Sequence, residues 1–196
     1  MVTAGLHGQK RVQKALLEPT VESVVIDGAQ CFHISLETAD IQEVWVEAEI
    51  DGEYQNEVLV FTETLGNTLQ IGTGFTPGFQ MPNDKLGAHK TLSVKLRVVL
   101  PNHQRVTLAA GSCRVETKGN FRDLKIHITG GGCLLEHTAE HTEVTTASAP
   151  ITAQIGLGMV QAHSRYGRVA LETIPSGPSE FIFSSTSGDI RVSRKP

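Results

Sequence analysis

Apolar and polar residues alternate with a period of two along most of the chain. From Val44 to Ile50 every second residue is apolar, and the same alternation runs from Leu92 to Leu100. This period places successive side chains on opposite faces of a β-strand. No stretch after residue 20 keeps a helical period over ten or more residues. The pattern therefore predicts an all-β protein.

The C-terminal half repeats a short unit, which consists of an apolar strand, a turn centred on glycine and a second short strand. We predict that the first inward residues after the turns are Cys113, Cys133, Ile151, Val169 and Ile190, at steps of 20, 18, 18 and 21 residues. Near-constant steps of this size are typical of stacked repeats, in which each unit buries its apolar face against its neighbours. We therefore expect these side chains to form one inward column, with parallel pairing between rows.

The fold class that follows is a single-stranded β-helix, or β-solenoid, with about five C-terminal rows of 18–21 residues over 105–196. A less regular β half, 21–104, is expected to cap one end of these rows. Both halves then form a single domain, 21–196. A raw strand edge at the other end would need protection against aggregation. The basic residues and the proline of segment 191–196 are expected to provide it.

Two segments depart from this pattern. Residues 1–20 are predicted to be a flexible leader, in which basic and apolar residues could form a turn or two of helix ahead of Pro19. Residues 72–89 contain four glycines and two prolines. Because proline removes donors from a strand ladder, this stretch cannot be a central strand. We predict a long loop here, the least ordered internal segment.

Charge and hydropathy limit the classes of partner that the chain is expected to bind. Seventeen basic and twenty-one acidic residues give a net charge of −4, without the dense basic face that binds nucleic-acid phosphates. No apolar run is long enough to span a bilayer. The N-terminal residues MVTAGLHGQK lack the apolar segment of a secretory signal. We expect no nucleic-acid partner and no transmembrane segment in this chain.

Three cysteines, Cys31, Cys113 and Cys133, are too few for a disulfide framework. Cys113 and Cys133 occupy row positions that isoleucine and valine fill elsewhere, which favours buried thiols that act as small apolar side chains. Neighbouring rows would bring these two within reach of a disulfide. The sequence leaves open whether they are bridged.

One motif matches a metal site. His137, Glu140 and His141 fit the H-x-x-E-H pattern of zinc peptidases, in which a helix places both histidines on one face. The row pattern predicts strand or turn instead. In a strand the two histidines would share a face about 13 Å apart while Glu140 points away. One zinc ion with nitrogens about 2.0 Å away cannot bridge that gap. We therefore assign no catalytic, metal or cofactor-binding residue.

Glycines and aspartates give weaker signals. Gly72-x-Gly74 and Gly130–Gly132 resemble phosphate-binding loops, but neither leads into a helix, so we interpret both as turns. Calcium-binding and polysaccharide-cleaving β-helices need carboxylates at a fixed row position. Asp123 and Asp189 fall at different row positions, which argues against both activities.

Five stretches combine apolar strands with short turns: SSTSGDIRV at 184–192, GSCRVET at 111–117, TGGGCLLEHT at 129–138, the opening VESVVIDGAQCFHISLE at 21–37 and TLSVKLRVVLP at 91–101. Together they resemble the bacterial putative-adhesin family, also called toastrack domains. The middle rows APITAQI and SRYGRVALE depart from the family by lacking its Ser-Gly pair. The family has no established catalytic residues, so none is transferred to this chain.

The resemblance implies a β-solenoid that is exported or associated with the bacterial envelope. We therefore expect a non-enzymatic binding or structural module of the cell envelope or surface, with a surface, protein or glycan ligand. Exposed rings often bind glycans, and Trp45, Tyr54 and Tyr166 are the candidates. One alternative is a sensory domain of an envelope-stress system. Another is a carbohydrate-active β-helix enzyme, which a pair of carboxylates with raised pKa in a groove would favour.

Overall fold

The computed structural model describes residues 9–16, 20–79 and 92–195, and for 9–16 it describes the backbone alone. This part of the chain is all-β, with one short 3-10 helix at Gln55–Glu57 and no helix long and apolar enough to cross a membrane. The strands are Gln9–Leu16 (β1), Ser23–Gly28 (β2), Cys31–Ala39 (β3), Glu43–Gly52 (β4), Val58–Leu65 (β5), Thr68–Phe75 (β6), Leu92–Pro101 (β7), Arg105–Thr146 (β8), Ile151–Ile155 (β9), Met159–Ser164 (β10), Val169–Leu171 (β11), Glu180–Ser185 (β12) and Ile190–Arg194 (β13).

The apolar positions of the predicted strands face one shared interior. In β7, Val94, Leu96, Val98 and Leu100 are all fully buried, and alternate residues of β4 are buried opposite them. Each such side chain contributes about 1.5–3 kcal/mol when it leaves water. The all-β prediction and the predicted inward residues of these two strands are confirmed.

The strands form one mixed, barrel-like sheet. Its main path runs in the order β1, β4, β7, β3, β8, β2, β6 and β5. Antiparallel pairs occur at both ends of this path, where β4 lies between β1 and β7 and where β5 pairs with β6. The central pairs are parallel, with β3 and β2 both joined to β8.

The 42-residue strand β8 brings distant parts of its own sequence together. The carboxylate of Asp123 lies 3.0 Å from the guanidinium of Arg105, which is eighteen residues earlier. The hydroxyl of Thr117 lies 2.7 Å from the ring of His137, twenty residues later. These separations match the steps predicted for the rows.

The predicted inward column forms, but its last two members are exchanged. Cys133 pairs in parallel with Ile151, Ile151 with Ile190, and Ile190 with Val169. The row of Ile190 is therefore inserted between those of Ile151 and Val169. Cys113, Cys133, Ile151 and Ile190 are buried, whereas Val169 is 42% exposed, so its predicted burial is wrong.

The expected protection of the C-terminal edge is also wrong. Arg191 and Arg194 belong to β13, which lies between β9 and β11 inside the sheet. The strands without a second neighbour, among those that the structure describes, are instead β10 and β11 at this end.

The two irregular segments also differ from expectation. In the leader, Gln9–Leu16 is a strand that pairs antiparallel with β4, so the helical turn expected there is wrong. The first four residues of the predicted loop, 72–75, belong to β6 and pair with β5. The prediction for positions 80–89, like that for residues 1–8, lies outside the described residues.

Candidate functional site

The histidines of the H-x-x-E-H motif lie in different environments. His137 is buried, with Nδ1 2.7 Å from the Thr117 hydroxyl and Nε2 2.9 Å from the Thr142 hydroxyl. The ring of His141 faces outward, with Nδ1 3.1 Å from a carboxylate oxygen of Glu180. The alternation of buried and exposed residues is interrupted between them, because Ala139 and Thr142, three positions apart, are both buried. The expectation that the two histidines share a face is therefore wrong.

His137 belongs to a buried polar cluster with Thr117 and Thr142. Its ring meets that of Phe121 edge to face, with the centroids 5.4 Å apart. Burial lowers the pKa of His137 to about 4, so the ring is neutral at pH 7. Within the described ranges no three histidine, cysteine or acidic side chains are grouped in a way that could hold a metal ion.

All three cysteines are free and buried, so Cys113 and Cys133 are not bridged in this structure. Burial raises the pKa of the Cys31 thiol to about 11 and those of Cys113 and Cys133 to about 12. Cys31 raises the pKa of Cys113 further, and Cys113 does the same to Cys133. Because thiolates are the reactive form, these cysteines act as apolar packing residues.

We expect a thiol reagent at neutral pH to leave all three cysteines of the folded protein unmodified. In denaturant the same reagent should modify all three, because both burial and the raised pKa are then lost. Mass spectrometry of the labelled protein measures both states. Rapid labelling of Cys113 or Cys133 in the native state would contradict this packing role.

Charged residues on the outer surface of β8 pair between successive rows. Each pair joins a base to an acid about one row later: Arg105–Asp123, Lys118–Glu136, Arg122–Glu140 and Lys125–Glu143. These pairs are solvent-exposed, so each contributes at most about 1 kcal/mol. The matched signs leave this surface without a large excess of either charge.

On the outer face of β3 and β7, Glu37 and Arg97 form a similar pair at 3.0 Å. The hydrogen bond from Arg97 holds the pKa of the Glu37 carboxyl below its usual range, and the positive charge of Arg97 lowers it further. A general acid for glycoside hydrolysis needs the opposite shift. Glu37 is therefore a charged partner of Arg97 and not a proton donor.

The three rings named as candidates for glycan binding do not converge. Trp45 lies on β4, whereas Tyr166 lies in the turn between β10 and β11, with the Arg165 guanidinium 5.0 Å from its ring centroid. Tyr54 packs edge to face on Phe79 at 5.3 Å. These elements are separated along the sheet, so the rings form no common platform.

Gly130–Gly132 lies inside β8 rather than in a separate loop. A shallow groove lies over it, lined by Arg114, Leu134, Pro150 and Thr152 among others. Gly131 has φ of +92°. This positive φ changes the backbone direction locally within the continuous strand, so the separate turn predicted from the sequence is wrong.

An exposed apolar platform on β5 was not predicted. Leu59, Phe61 and Leu65 alternate along its outer face, and Val25 of β2 is exposed on the same side of the sheet. The Phe61 ring lies against Gly72, where an added Cβ would come within 2.7 Å of Cζ. We call this surface the Phe61 platform.

Polar side chains surround the platform. Glu63 on β5 and Gln70 on β6 are cross-strand neighbours, and Asp27 on β2 pairs with Gly72. An aromatic ring beside carboxylate and amide groups can contact the apolar side of a ligand and accept or donate hydrogen bonds at its edges. The sequence signal was the run Val58–Phe61, because four consecutive apolar residues must expose some of them on a strand with a wet face.

No protein-family model matches the sequence, and a search of curated proteins gives no significant match. Solved structures do match. A putative cell adhesion protein from Clostridium sporogenes is 14% identical, and the alignment covers 95% of this chain and 100% of that one with a TM-score of 0.61. A putative adhesin from Parabacteroides distasonis is 15% identical over 95% of this chain and 79% of its own, with a TM-score of 0.48.

A TM-score below 0.5 is too low to support a common fold, so the argument rests on the Clostridium sporogenes protein. Its alignment spans the whole of that chain. At 14% identity the likeness concerns the fold alone. The chain therefore has the fold of a bacterial putative cell adhesion protein, as the resemblance in its strand and turn motifs predicted.

Proposed function

We propose that the chain is a non-enzymatic binding module of the bacterial cell envelope or surface, and that it acts outside the cytoplasm. The fold shared with a putative cell adhesion protein supports an adhesive role. Its rows wind as a β-solenoid in this proposal. Parallel pairing through Cys133, Ile151 and Ile190 and side-chain contacts eighteen to twenty residues apart within β8 support that winding.

The Phe61 platform carries the proposal, and the ligand class that fits it is a glycan. A sugar ring has an apolar face of C–H groups, which packs on the electron-rich face of an aromatic ring. Its hydroxyls need hydrogen-bonding groups beside that ring, and Asp27, Glu63 and Gln70 supply them. The platform lies on paired strands, so its side chains are held in place before a ligand binds.

The test is binding of the purified protein to an array of bacterial and host glycans. Phe61→Ala should weaken binding about tenfold or more, since it removes the aromatic contact and its buried area. Phe32→Ala is the matched control, because Phe32 is also an exposed phenylalanine but lies on β3. It should bind like the unmodified protein.

Two results would contradict the proposal. Glycan binding with unchanged affinity in Phe61→Ala would show that the ligand does not bind at the Phe61 platform. A protein that binds no glycan but adheres to a protein-coated surface would overturn the ligand class. Thermal unfolding of both variants should match that of the unmodified protein, so that a loss of binding is not a loss of fold.

A further inference from the structure

The row that ends the sheet opposite β5 has two open edges. It consists of β10, a turn and β11, and we call residues 157–172 the terminal row. Within the described strands β10 pairs only with β12, and β11 pairs only with β13. Neither strand contains a lysine, an arginine, an acidic residue or a proline. The charged residues and prolines that often protect an open edge are therefore missing from both strands.

The terminal row also exposes large apolar side chains, two of which continue the core of the neighbouring row. Of the eleven large apolar side chains that are exposed in the described residues, five belong to this row: Leu157, Met159, Tyr166, Val169 and Leu171. Val169 and Leu171 continue the inward column of Ile190 and Val192, both of which are buried. The interior is thus only partly covered at this end, where Ile174 after β11 also packs against the core.

The backbone bonds determine which groups face outward from the edges. The Met159 N–H donates to Ser179, and the Glu172 N–H donates to Val192. In a parallel ladder alternate residues bond to the same neighbour. Residues 159 and 161 of β10, and residue 170 of β11, therefore bond to the inner strands. Val160, Ala162, Val169 and Leu171 direct their backbone groups to the open edges.

We propose that two copies of this chain associate through their terminal rows about a two-fold axis that passes Gln161 and Ala170. Both residues lie about four positions from the centre of the turn, at 165–166, so one axis can pass through both edges. Antiparallel pairing then places Val160 opposite Ala162 and Val169 opposite Leu171. Each of these pairs joins two residues with free edge groups and continues an inward column. This goes beyond the proposed binding function and does not depend on it.

Charge complementarity favours this partner. Extension of the β11 register places Arg168 of one copy opposite Glu172 of the other, and both side chains are exposed in the single chain. The two-fold axis makes this contact twice. A second copy therefore provides hydrogen-bond partners for the backbone groups at the open edges and covers the exposed inward side chains. It also pairs opposite charges, all in one isologous contact.

The test begins with the mass in solution. Sedimentation velocity over a wide concentration range should show a species of twice 21.2 kDa. A monomer at every concentration would overturn the proposal. Oligomers that grow beyond two copies would overturn the two-fold axis in favour of a head-to-tail contact.

The double variant Gln161→Lys, Ala170→Lys should raise the dimer dissociation constant at least about 100-fold, because each lysine meets its own copy across the axis. The matched control is Ala109→Lys, at an exposed outward alanine of β8 within the sheet. It should leave the dimer intact. A dimer that survives the double variant would place the interface on another surface.

A charge exchange tests the register itself. Arg168→Glu should weaken the dimer about tenfold or more, because it sets two acids opposite each other. Adding Glu172→Arg should restore it, because the opposite charges are then exchanged between the copies. Failure of the second substitution to rescue the first would overturn the proposed register.

Discussion

Replacing Gly131 by alanine is expected to destabilise the protein by about 4 kcal/mol, because strain and a backbone clash act together. Gly131 has φ of +92°, a region that costs a residue with a Cβ about 1–3 kcal/mol. An alanine Cβ would also clash with the carbonyl oxygen of Cys113 and lie 2.8 Å from its nitrogen. These are backbone atoms of the adjacent row, so no side chain can rotate away, and such overpacking costs about 1–3 kcal/mol more.

Two other glycines separate the contribution of backbone strain from that of the backbone clash. Gly66 has φ of +62° and nothing within 4 Å of its Cβ position, so alanine there should cost the strain alone, about 1 kcal/mol. Gly111, inside β8, has neither a positive φ nor a close neighbour. Alanine there should change the free energy of unfolding by about 0.5 kcal/mol or less.

Chemical denaturation of the three variants measures these costs. For a chain of 196 residues the loss at Gly131 corresponds to a fall of about 10 °C in the unfolding midpoint. A Gly131→Ala variant as stable as Gly111→Ala would mean that the rows do not approach each other at Cys113 as the structure has them.

The spacing of the rows was predictable, but their order was not. A near-constant step follows from the number of residues needed to go once around the interior, and that number is visible in the sequence. The order depends on which row buries the most apolar surface when it has a neighbouring row on both sides. β12 presents Phe181 and Phe183 where β10 presents Val160 and Ala162. Larger apolar side chains gain more from burial, which favours the inner position for β12.

Local geometry accounts for the other differences. The shared face expected for His137 and His141 assumed unbroken alternation. The chain instead directs residues 140 and 141 in succession away from the core, with Glu140 exposed and His141 half-buried. Such an interruption of the alternation depends on where a row bends around the interior. The amino-acid sequence of a single row does not show where that bend occurs. The Phe61 platform was not predicted either, because the run Val58–Phe61 places apolar residues on both faces of β5 and periodicity alone does not show which of them remain exposed.

The buried ring of His137 should make stability depend on pH. Its pKa is lowered to about 4 in the folded protein, first by burial and then by the charge of Lys195. In the unfolded chain a histidine has a pKa of about 6.5. Between these two values the unfolded state binds the additional proton, so the free energy of unfolding falls as the pH falls.

The expected loss follows from the difference between the two pKa values. Stability is fully present above about pH 6.5 and decreases by about 1.4 kcal/mol per unit of pH below it. Near pH 4 the loss from this one group reaches about 3 kcal/mol, and below that value both states are protonated and the loss ends. Other groups also titrate in this range, so the measurement must be a comparison with a variant.

His137→Gln removes the titrating ring but keeps a side chain that can bond to Thr117 and Thr142. It should be less stable than the unmodified protein at pH 7, since glutamine fits this site less well, and the difference should shrink as the pH approaches 4. His127→Gln on β8 is the control, because it also replaces a histidine by glutamine but at an exposed position outside the proposed dimer contact. Its curve should run parallel to that of the unmodified protein. Urea denaturation at several pH values gives all three curves. A constant difference between His137→Gln and the unmodified protein would show that His137 does not titrate as a buried neutral ring. The pH dependence would then arise elsewhere in the fold.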